Sequence, residues 1–210
     1  LPDKVSVTSQ DMIEHVSVIT DPTTTINQKV WDTIREGLYK SRSVVIHYRA
    51  PGYDEAAIRL IDPLHLVGHH GEWYLLCFSH HHDEVRVFAL NRIPKARLDR
   101  SRFQRPDDFR AEDYIDPGFG VFVSEERTEV TVRFDGEAAY RIPERNWHHG
   151  QTIEKLDDDS IIVRFTTNQQ SQVLFWAAQW GPNAEILAPP ELRERAAQWF
   201  AQTARRYDNV

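Results

Sequence analysis

The sequence lacks several features that would each indicate a particular class of protein. It contains one cysteine, Cys77, so an internal disulfide is impossible and a reducing cytoplasm is the expected compartment. No apolar run approaches the roughly 18 residues that a membrane-spanning helix needs, and no signal peptide opens the chain. The net charge is −7, whereas proteins that bind duplex DNA usually carry a basic excess. A secreted disulfide scaffold, a membrane protein and a general duplex-DNA binder are therefore not expected.

Catalytic fingerprints are missing as well. The nucleophile-elbow, phosphate-loop and dinucleotide-binding patterns do not occur. Ten histidines are present, several of them adjacent, but they lie in turn-like stretches without an HExxH motif or a second cysteine. We therefore expect no enzyme, no cofactor and no metal site. A metal-dependent hydrolase built on the histidines is the enzymatic alternative.

The first half of the chain predicts one helix followed by short strands. Apolar residues recur every four positions from Ile26 to Leu38, which indicates a helix capped by Thr24 or Thr25. Period-two patterns then predict strands at 44–48, 57–67 with an interruption at Pro63, 72–78, 85–90 and 95–98. One helix and five closely spaced short strands favour a small β-barrel.

The second half has a different pattern of apolar residues and follows a charged, turn-rich stretch at 104–126. Its patterns predict strands at 129–134 and 160–165, a short element at 138–142, and helices at about 169–180 and 191–207. The chain is thus expected to be α+β, with an arm or linker at 1–25, a barrel domain at 26–103, a linker at 104–126 and an α+β domain at 127–210. Because the chain begins with Leu1, we also expect it to be a piece of a longer protein.

Two adjacent strands carry the candidate site. Within Trp73-Tyr74-Leu75, alternation of strand faces predicts that Trp73 and Leu75 belong to the core and that Tyr74 points the other way. The next strand carries Arg86 and Arg92. In an unbroken strand both arginines would share a side with apolar residues, so a bulge or strand end is expected near Asn91.

Arginine beside tyrosine suits an anionic, nucleotide-like ligand, because the guanidinium fork binds phosphate and the aromatic ring stacks on bases. The alternatives are a surface ion pair for each arginine and a half-buried structural role for Tyr74. His65 is expected to face away from its neighbours Leu64 and Leu66. The candidate ligand-binding residues are Tyr74, Arg86, Arg92, Arg59, His65 and Tyr48.

These residues resemble the WYL-domain family of bacterial regulators, named for the tripeptide at 73–75. The resemblance includes Gly71 before the tripeptide and Arg86-x-Phe-x-Leu-x-Arg92-Ile93 after it. The second half resembles the C-terminal extension of many WYL domains, in Val173-Leu-Phe-Trp176, Gly181-Pro182, Glu185-Ile-Leu187, Pro190-Glu-Leu-Arg193 and Tyr207.

The resemblance implies an Sm-like or SH3-like barrel followed by a ferredoxin-like extension. It also implies a ligand-sensing and dimerisation region of a bacterial transcriptional regulator, with a nucleotide or single-stranded nucleic acid as effector. The family's winged helix-turn-helix does not fit into the roughly 25 residues before the first helix, so duplex DNA is expected to be bound only by a domain outside this chain. The alternative function is a protein–protein interaction module without a small ligand.

Overall fold

The computed structural model describes residues 21–116, 119–121 and 127–207. Most of the predicted arm at 1–25, and part of the predicted linker at 104–126, lie outside these residues. The elements in chain order are α1 (Gln28–Lys40), β1 (Arg42–Tyr48), β2 (Ala57–His69), β3 (Glu72–Ser79), β4 (Glu84–Ala89), β5 (Lys95–Arg102), β6 (Ile115–Asp116), β7 (Gly120–Val121), β8 (Thr128–Phe134), α2 (Gly136–Arg141), β9 (Thr152–Lys155), β10 (Ile161–Thr167), α3 (Gln170–Ala178), β11 (Ala184–Ala188) and α4 (Pro190–Arg205).

Helix α1 begins later than the apolar spacing suggested. Its N-cap is Asn27, whose side-chain oxygen accepts a hydrogen bond from the Lys29 amide at 2.9 Å. The predicted caps, Thr24 and Thr25, are therefore wrong, since both precede the turn that the Asn27 side chain closes. The helix ends at Ser41, which has a left-handed conformation.

The packing of α1 on the first sheet depends on a glycine. Val30 and Ile34 are buried against the sheet. At Gly37 the strand comes so close that an added Cβ would lie 2.6 Å from Cγ2 of Val44. Glycine therefore stands near the end of this helix, in spite of its lower helix propensity, because a side chain would overlap Val44 and the Arg42 carbonyl.

The first sheet is antiparallel, with the order β4-β3-β2-β1-β5. The five predicted strands are present. Residues 57–69 form one strand, because a bulge between Pro63 and His65 accommodates the proline. Strands β4 and β5 lie at the two edges, and the described residues show no pairing between them, so closure into a barrel stays a prediction.

The first sheet buries side chains on both faces. One face packs on α1, and we call its core the helix-side cluster: Val30, Ile34, Val44, Ile46, Ile61, Leu75, Cys77, Phe88, Leu90 and Ile93. The other face packs on the segment that follows β5, and we call its core the loop-side cluster: Leu64, Leu76, Phe109, Ala111 and Val121. Residues of the predicted linker thus complete the core of the first domain.

The tripeptide divides between buried and exposed positions. Leu75 is completely buried in the helix-side cluster, as predicted. The prediction that Trp73 is core is wrong, because its side chain is 40% exposed. Trp73 pairs with Gly68 near the β2–β3 turn, where its ring lies over the glycine and contacts the ring of Trp31 at 5.0 Å. Because Gly68 has no side chain, part of the Trp73 ring stays uncovered.

The second sheet is also antiparallel and has the order β11-β8-β10-β9. The element order β8-α2-β9-β10-α3-β11 is the βαββαβ arrangement of ferredoxin-like folds, and α4 follows it. Strands β8 and β10 confirm the predicted strands, and the short element at 138–142 belongs to α2 and the turn after it. Strand β9 was missed, because all four of its residues are exposed and carry no apolar alternation.

Asp116 and Phe119 contact residues of the second domain. Asp116 accepts a hydrogen bond from the Thr167 hydroxyl, and its Oδ1 lies 3.4 Å from Nε2 of His148. The ring of Phe119 stacks on Phe165 at 5.2 Å. The hairpin of β6 and β7 therefore connects the two halves through both polar and aromatic contacts. Within the described residues, no helix is long and apolar enough to cross a bilayer.

Candidate anion-binding site

Curling of the first sheet brings the end of β1 to the end of β4. The ring of Tyr48 packs edge-on against Phe88, with 4.6 Å between the centroids. The amide of Arg49 donates a hydrogen bond to the Arg92 carbonyl at 3.0 Å. Arg92 belongs to a 3₁₀ turn, Leu90–Arg92, that begins where β4 ends. The predicted strand end near Asn91 is thereby confirmed.

A cationic cleft lies at this junction. Its volume is 330 Å³, and it is lined by Arg49, Ala50, Pro51, Gly52, Tyr53, Asn91, Arg92 and Pro94. The lining contains two arginines, Arg49 and Arg92, and no carboxylate, so its formal charge is positive. Arg49 was not predicted, although its position directly after the strand residue Tyr48 places it at the same end of the sheet.

Tyr74 is a neutral hydrogen-bonding group near this cleft. The pKa of Tyr74 is raised to about 12. The largest cause is burial, and the next are a hydrogen bond to the Glu72 carboxylate and the negative charge of that carboxylate. The positive charge of Arg92 acts in the opposite direction, and Tyr48 is close enough to contribute as well. The phenol therefore stays protonated at every physiological pH.

This pKa predicts a specific alkaline titration. Because the folded-state pKa of Tyr74 exceeds the usual 10.0, its contribution to stability is complete below about pH 10 and is lost as the pH rises towards 12. The difference between the phenolate absorbance of the wild type and that of Tyr74→Phe, measured over an alkaline titration, reports on Tyr74 alone. It should show that this phenol is still protonated at about pH 11. Titration of that group near pH 10 would contradict the buried, hydrogen-bonded placement. In Glu72→Gln the pKa should fall only in part, since burial remains.

Arg59 and Arg86 both lie close enough to His82, in another part of the same domain, to act on its charge. Arg59 pairs with Ile46 and Arg86 with Cys77, so both side chains lie on the face of the helix-side cluster. Desolvation, then the positive charges of Arg86, His81 and Arg59, lower the pKa of His82. Arg86 also forms an ion pair with Glu84, so the surface ion pair considered as its alternative role is present.

The predicted residues do not share one face of the sheet. Strand pairing places Tyr48, Arg59 and Arg86 on the helix-side face, whereas Tyr74 belongs to the loop-side face. His65 pairs with Leu76, so it too lies on the loop-side face.

The prediction that His65 faces away from Leu64 and Leu66 alike is wrong. Leu64 is part of the loop-side cluster, and Leu66 packs against the helix-side cluster. The bulge before His65 adds one residue to β2, which shifts the alternation of its side chains by one position.

The remaining chemically interesting residues have structural environments. Cys77 is completely buried, and burial raises the pKa of its thiol well above the usual value, so it packs as a small apolar residue. Within the described residues, no three His, Cys, Asp or Glu side chains converge in a way that would hold a metal ion.

Two family models match this chain. The model of the WYL domain matches residues 29–98, which contain α1, the first sheet up to β5, and the cationic cleft. The model of the WCX domain matches residues 126–204, which contain the second sheet and its helices. The chain carries a WYL domain followed by a WCX domain. The family resemblance found in the sequence is thereby confirmed.

Two relatives are similar to most of this chain. The chain is similar to Protein PafC of Mycobacterium tuberculosis, with 23% identity over 163 residues that cover 77% of this chain and 50% of PafC. It is also similar to the uncharacterized HTH-type transcriptional regulator YobV of Bacillus subtilis, with 23% identity over 155 residues, 73% of this chain and 48% of YobV. The chain thus spans about half the length of these relatives.

One solved structure shows the same kind of fold. A crystal structure of a CRISPR Cas-related protein superposes with a TM-score of 0.56 and 14% identity, covering 86% of this chain and 51% of that one. Proteasome accessory factor B/C (PafBC) of Arthrobacter aurescens matches with a TM-score of 0.40 and 19% identity, covering 90% of this chain and 29% of PafBC. The first of these supports the mixed α and β architecture of both domains.

Proposed function

We propose that this WYL and WCX region is the effector-sensing and dimerisation region of a bacterial transcriptional regulator in the cytoplasm. Its two domains and its similarity to an HTH-type transcriptional regulator support a role in transcription control. The net charge of −7 argues that contact with duplex DNA is made by another part of the regulator. The Sm-like or SH3-like barrel expected for a WYL domain is part of this proposal.

The observation that carries the proposal is the cleft at Arg49 and Arg92. Two guanidinium groups without a carboxylate in the lining form a site for an anion, and neutral Tyr74 lies within electrostatic range of Arg92. We assign the effector to nucleotides or single-stranded nucleic acid, because a phosphate can accept from arginine while a base stacks on an aromatic ring.

The other predicted residues take supporting roles in this proposal. Tyr48 holds the end of β1 against Phe88, so it positions the cleft. Arg59 adds positive charge on the helix-side face, where Arg86 is ion-paired with Glu84, and His65 provides a polar group on the opposite, loop-side face. An oligonucleotide, unlike a single nucleotide, is long enough to extend from the cleft along one of these two faces.

An aromatic patch on the WCX domain supports dimerisation. Phe175 of α3 is 52% exposed, and Trp199 and Phe200 of α4 are 38% and 37% exposed. The rings contact one another, with 6.1 Å between Phe175 and Trp199 and 5.3 Å between Trp199 and Phe200. Neighbouring exposed aromatics of this kind are enriched in protein interfaces, and we propose a second copy of this chain as the partner.

Effector binding acts in this proposal by favouring one arrangement of the WYL and WCX domains. The hairpin of β6 and β7 lies between them, with Asp116 bonded to Thr167 of the WCX sheet. A ligand can shift this arrangement only if it binds one state more tightly than the other. A helix-turn-helix attached to the WYL domain would respond to that shift.

Substitution of Arg92 tests the effector site. Arg92→Ala is expected to weaken binding of a labelled single-stranded oligonucleotide at least about 10-fold, because a charge-assisted hydrogen bond to phosphate is lost. The slope of log affinity against log salt should also fall by about 0.7, the value for one phosphate contact on a single strand. Fluorescence anisotropy across a salt series measures both quantities.

Arg141→Ala provides the matched control, since it removes the same charge from an exposed ion pair on α2 of the WCX domain. Equal effects of the two substitutions would contradict the Arg92 site. If wild-type protein binds no oligonucleotide or cyclic nucleotide but remains dimeric in light scattering, the protein–protein interaction module is the correct function.

A further inference from the structure

A second and larger cavity lies between the WYL and WCX domains, away from the cleft at Arg92. Its volume is 560 Å³, within the range of about 300–1,000 Å³ that is typical of small-molecule sites. The WYL domain contributes the turn between β2 and β3. The WCX domain contributes α3 and the segment before β9. The lining residues are His69, His70, Phe119, Arg145, Asn146, Trp147, Gln172, Phe175, Trp176 and Gln179.

Aromatic rings form much of the wall. Trp147 and Trp176 lie 5.9 Å apart, and Phe119 packs edge-on against Trp176 at 5.7 Å. Phe119 and Trp176 are 5% and 6% exposed, so this part of the wall is held rigidly by the WCX core. Rigid aromatic walls select flat, apolar ring systems.

The polar residues of the cavity favour a negative charge. The guanidinium of Arg145 lies over the Trp147 ring, 5.4 Å from its centroid, and no described carboxylate forms an ion pair with it. The lining also contains three carboxamide side chains, from Asn146, Gln172 and Gln179, and no acidic residue. One cation and several neutral donors suit a single anionic group.

We propose that this cavity is a binding site for a small aromatic anion, a flat ring that carries one carboxylate or phosphate group. The ring lies among Trp147, Trp176 and Phe119, and the anionic group lies at Arg145. Aromatic carboxylates and nucleoside monophosphates share this chemistry. The site is separate from the proposed effector site, since none of its lining residues belongs to the Arg92 cleft.

A ligand in this cavity would also lie beside the contacts that hold residues 21–24 against the WYL domain. His70 lines the cavity, and its Nδ1 lies 2.9 Å from Oδ2 of Asp21. The neighbouring Gly71 carbonyl accepts a hydrogen bond from the Thr24 amide at 3.1 Å. A ligand there would contact both domains and the turn that fastens residues 21–24.

Titration with two probes tests this proposal. Anthranilate represents aromatic carboxylates and adenosine monophosphate represents nucleotides, and isothermal calorimetry measures their dissociation constants. We expect saturable binding of at least one probe, and Arg145→Gln should weaken that binding about 10-fold or more. Arg145 is exposed, so this variant should retain the fold.

Arg141→Gln is the matched control, because it makes the same change four residues earlier, outside the cavity. It should bind the probe as the wild type does, and Arg92→Ala should bind anthranilate as the wild type does. The proposal is overturned if neither probe binds below about 1 mM, if Arg145→Gln and Arg141→Gln behave alike, or if Arg92→Ala abolishes binding of anthranilate. Such results would leave oligonucleotide binding at Arg92 untouched, so the two sites can fail independently.

Discussion

Replacement of Gly71 by alanine should lower the free energy of unfolding by about 2–4 kcal/mol and release residues 21–24 from the WYL domain. Gly71 has φ of 74°, a left-handed conformation that alanine adopts only with strain. An added Cβ would also lie 2.1 Å from the carbonyl oxygen of Pro22. That oxygen belongs to the backbone, so relief of the overlap requires the whole segment to move.

The released segment should lose two specific contacts. These are the hydrogen bond from the Thr24 amide to the Gly71 carbonyl and the contact between Asp21 and His70. Urea unfolding measures the loss of stability, and limited proteolysis measures cleavage around residues 21–24 in the folded protein. Both should change together, because one overlap causes both effects.

Gly52→Ala is the control that separates the effect of backbone strain from the effect of steric overlap. Gly52 also has a left-handed φ, 81°, but no heavy atom lies within 4 Å of its added Cβ. This variant should therefore lose only about 1 kcal/mol and keep the wild-type cleavage pattern. If Gly71→Ala loses no more than Gly52→Ala, the close contact with Pro22 does not exist in solution.

Phe134→Ala should destabilise the WCX domain by about 3–5 kcal/mol, the usual cost of removing a large aromatic side chain from a core. Phe134 is completely buried at the end of β8, a strand with a partner on each side. Its ring packs edge-on against Trp176 at 5.0 Å and Trp180 at 6.3 Å. Loss of the ring would leave a cavity among aromatics that are too rigid to fill it.

Chemical denaturation followed by tryptophan emission measures this loss, because Trp176 and Trp180 report on the same core. Phe175→Ala is the matched control: the same chemical change at a ring that is 52% exposed should cost less than about 1 kcal/mol. A Phe134→Ala loss below that of the control would contradict the packing around β8.

Most elements of both domains could be predicted from the sequence, because their apolar periodicity is strong. The five strands of the first sheet, the strands β8 and β10 and the helices α1, α3 and α4 all show it. Strand β9 could not be predicted, since its four residues are exposed and it is held by backbone pairing to β10. The cap of α1 at Asn27 was missed because Thr24 and Thr25 are equally suitable cap residues.

The candidate site was predicted less completely. Arginine and tyrosine at adjacent strands indicated an anion site, and Arg92 does line a cationic cleft. The second cation of that cleft, Arg49, was missed, because the curl that brings β1 to the turn after β4 depends on contacts between residues far apart in sequence. The facing of His65 could not be predicted either, since one inserted residue in β2 reverses the alternation.

The sequence by itself determined the family, the α+β class and the burial of Leu75, because these follow from local patterns and motifs. Only the tertiary structure decided the exposure of Trp73, the pairing of Arg49 with Arg92, and the cavity between the two domains. Each of these depends on where distant segments meet: Gly68 opposite Trp73, the Arg49 amide on the Arg92 carbonyl, and the β2–β3 turn beside α3. These contacts depend on how the elements pack in three dimensions. The apolar periodicity of a strand or a helix identifies the element but does not say which distant segment it will contact.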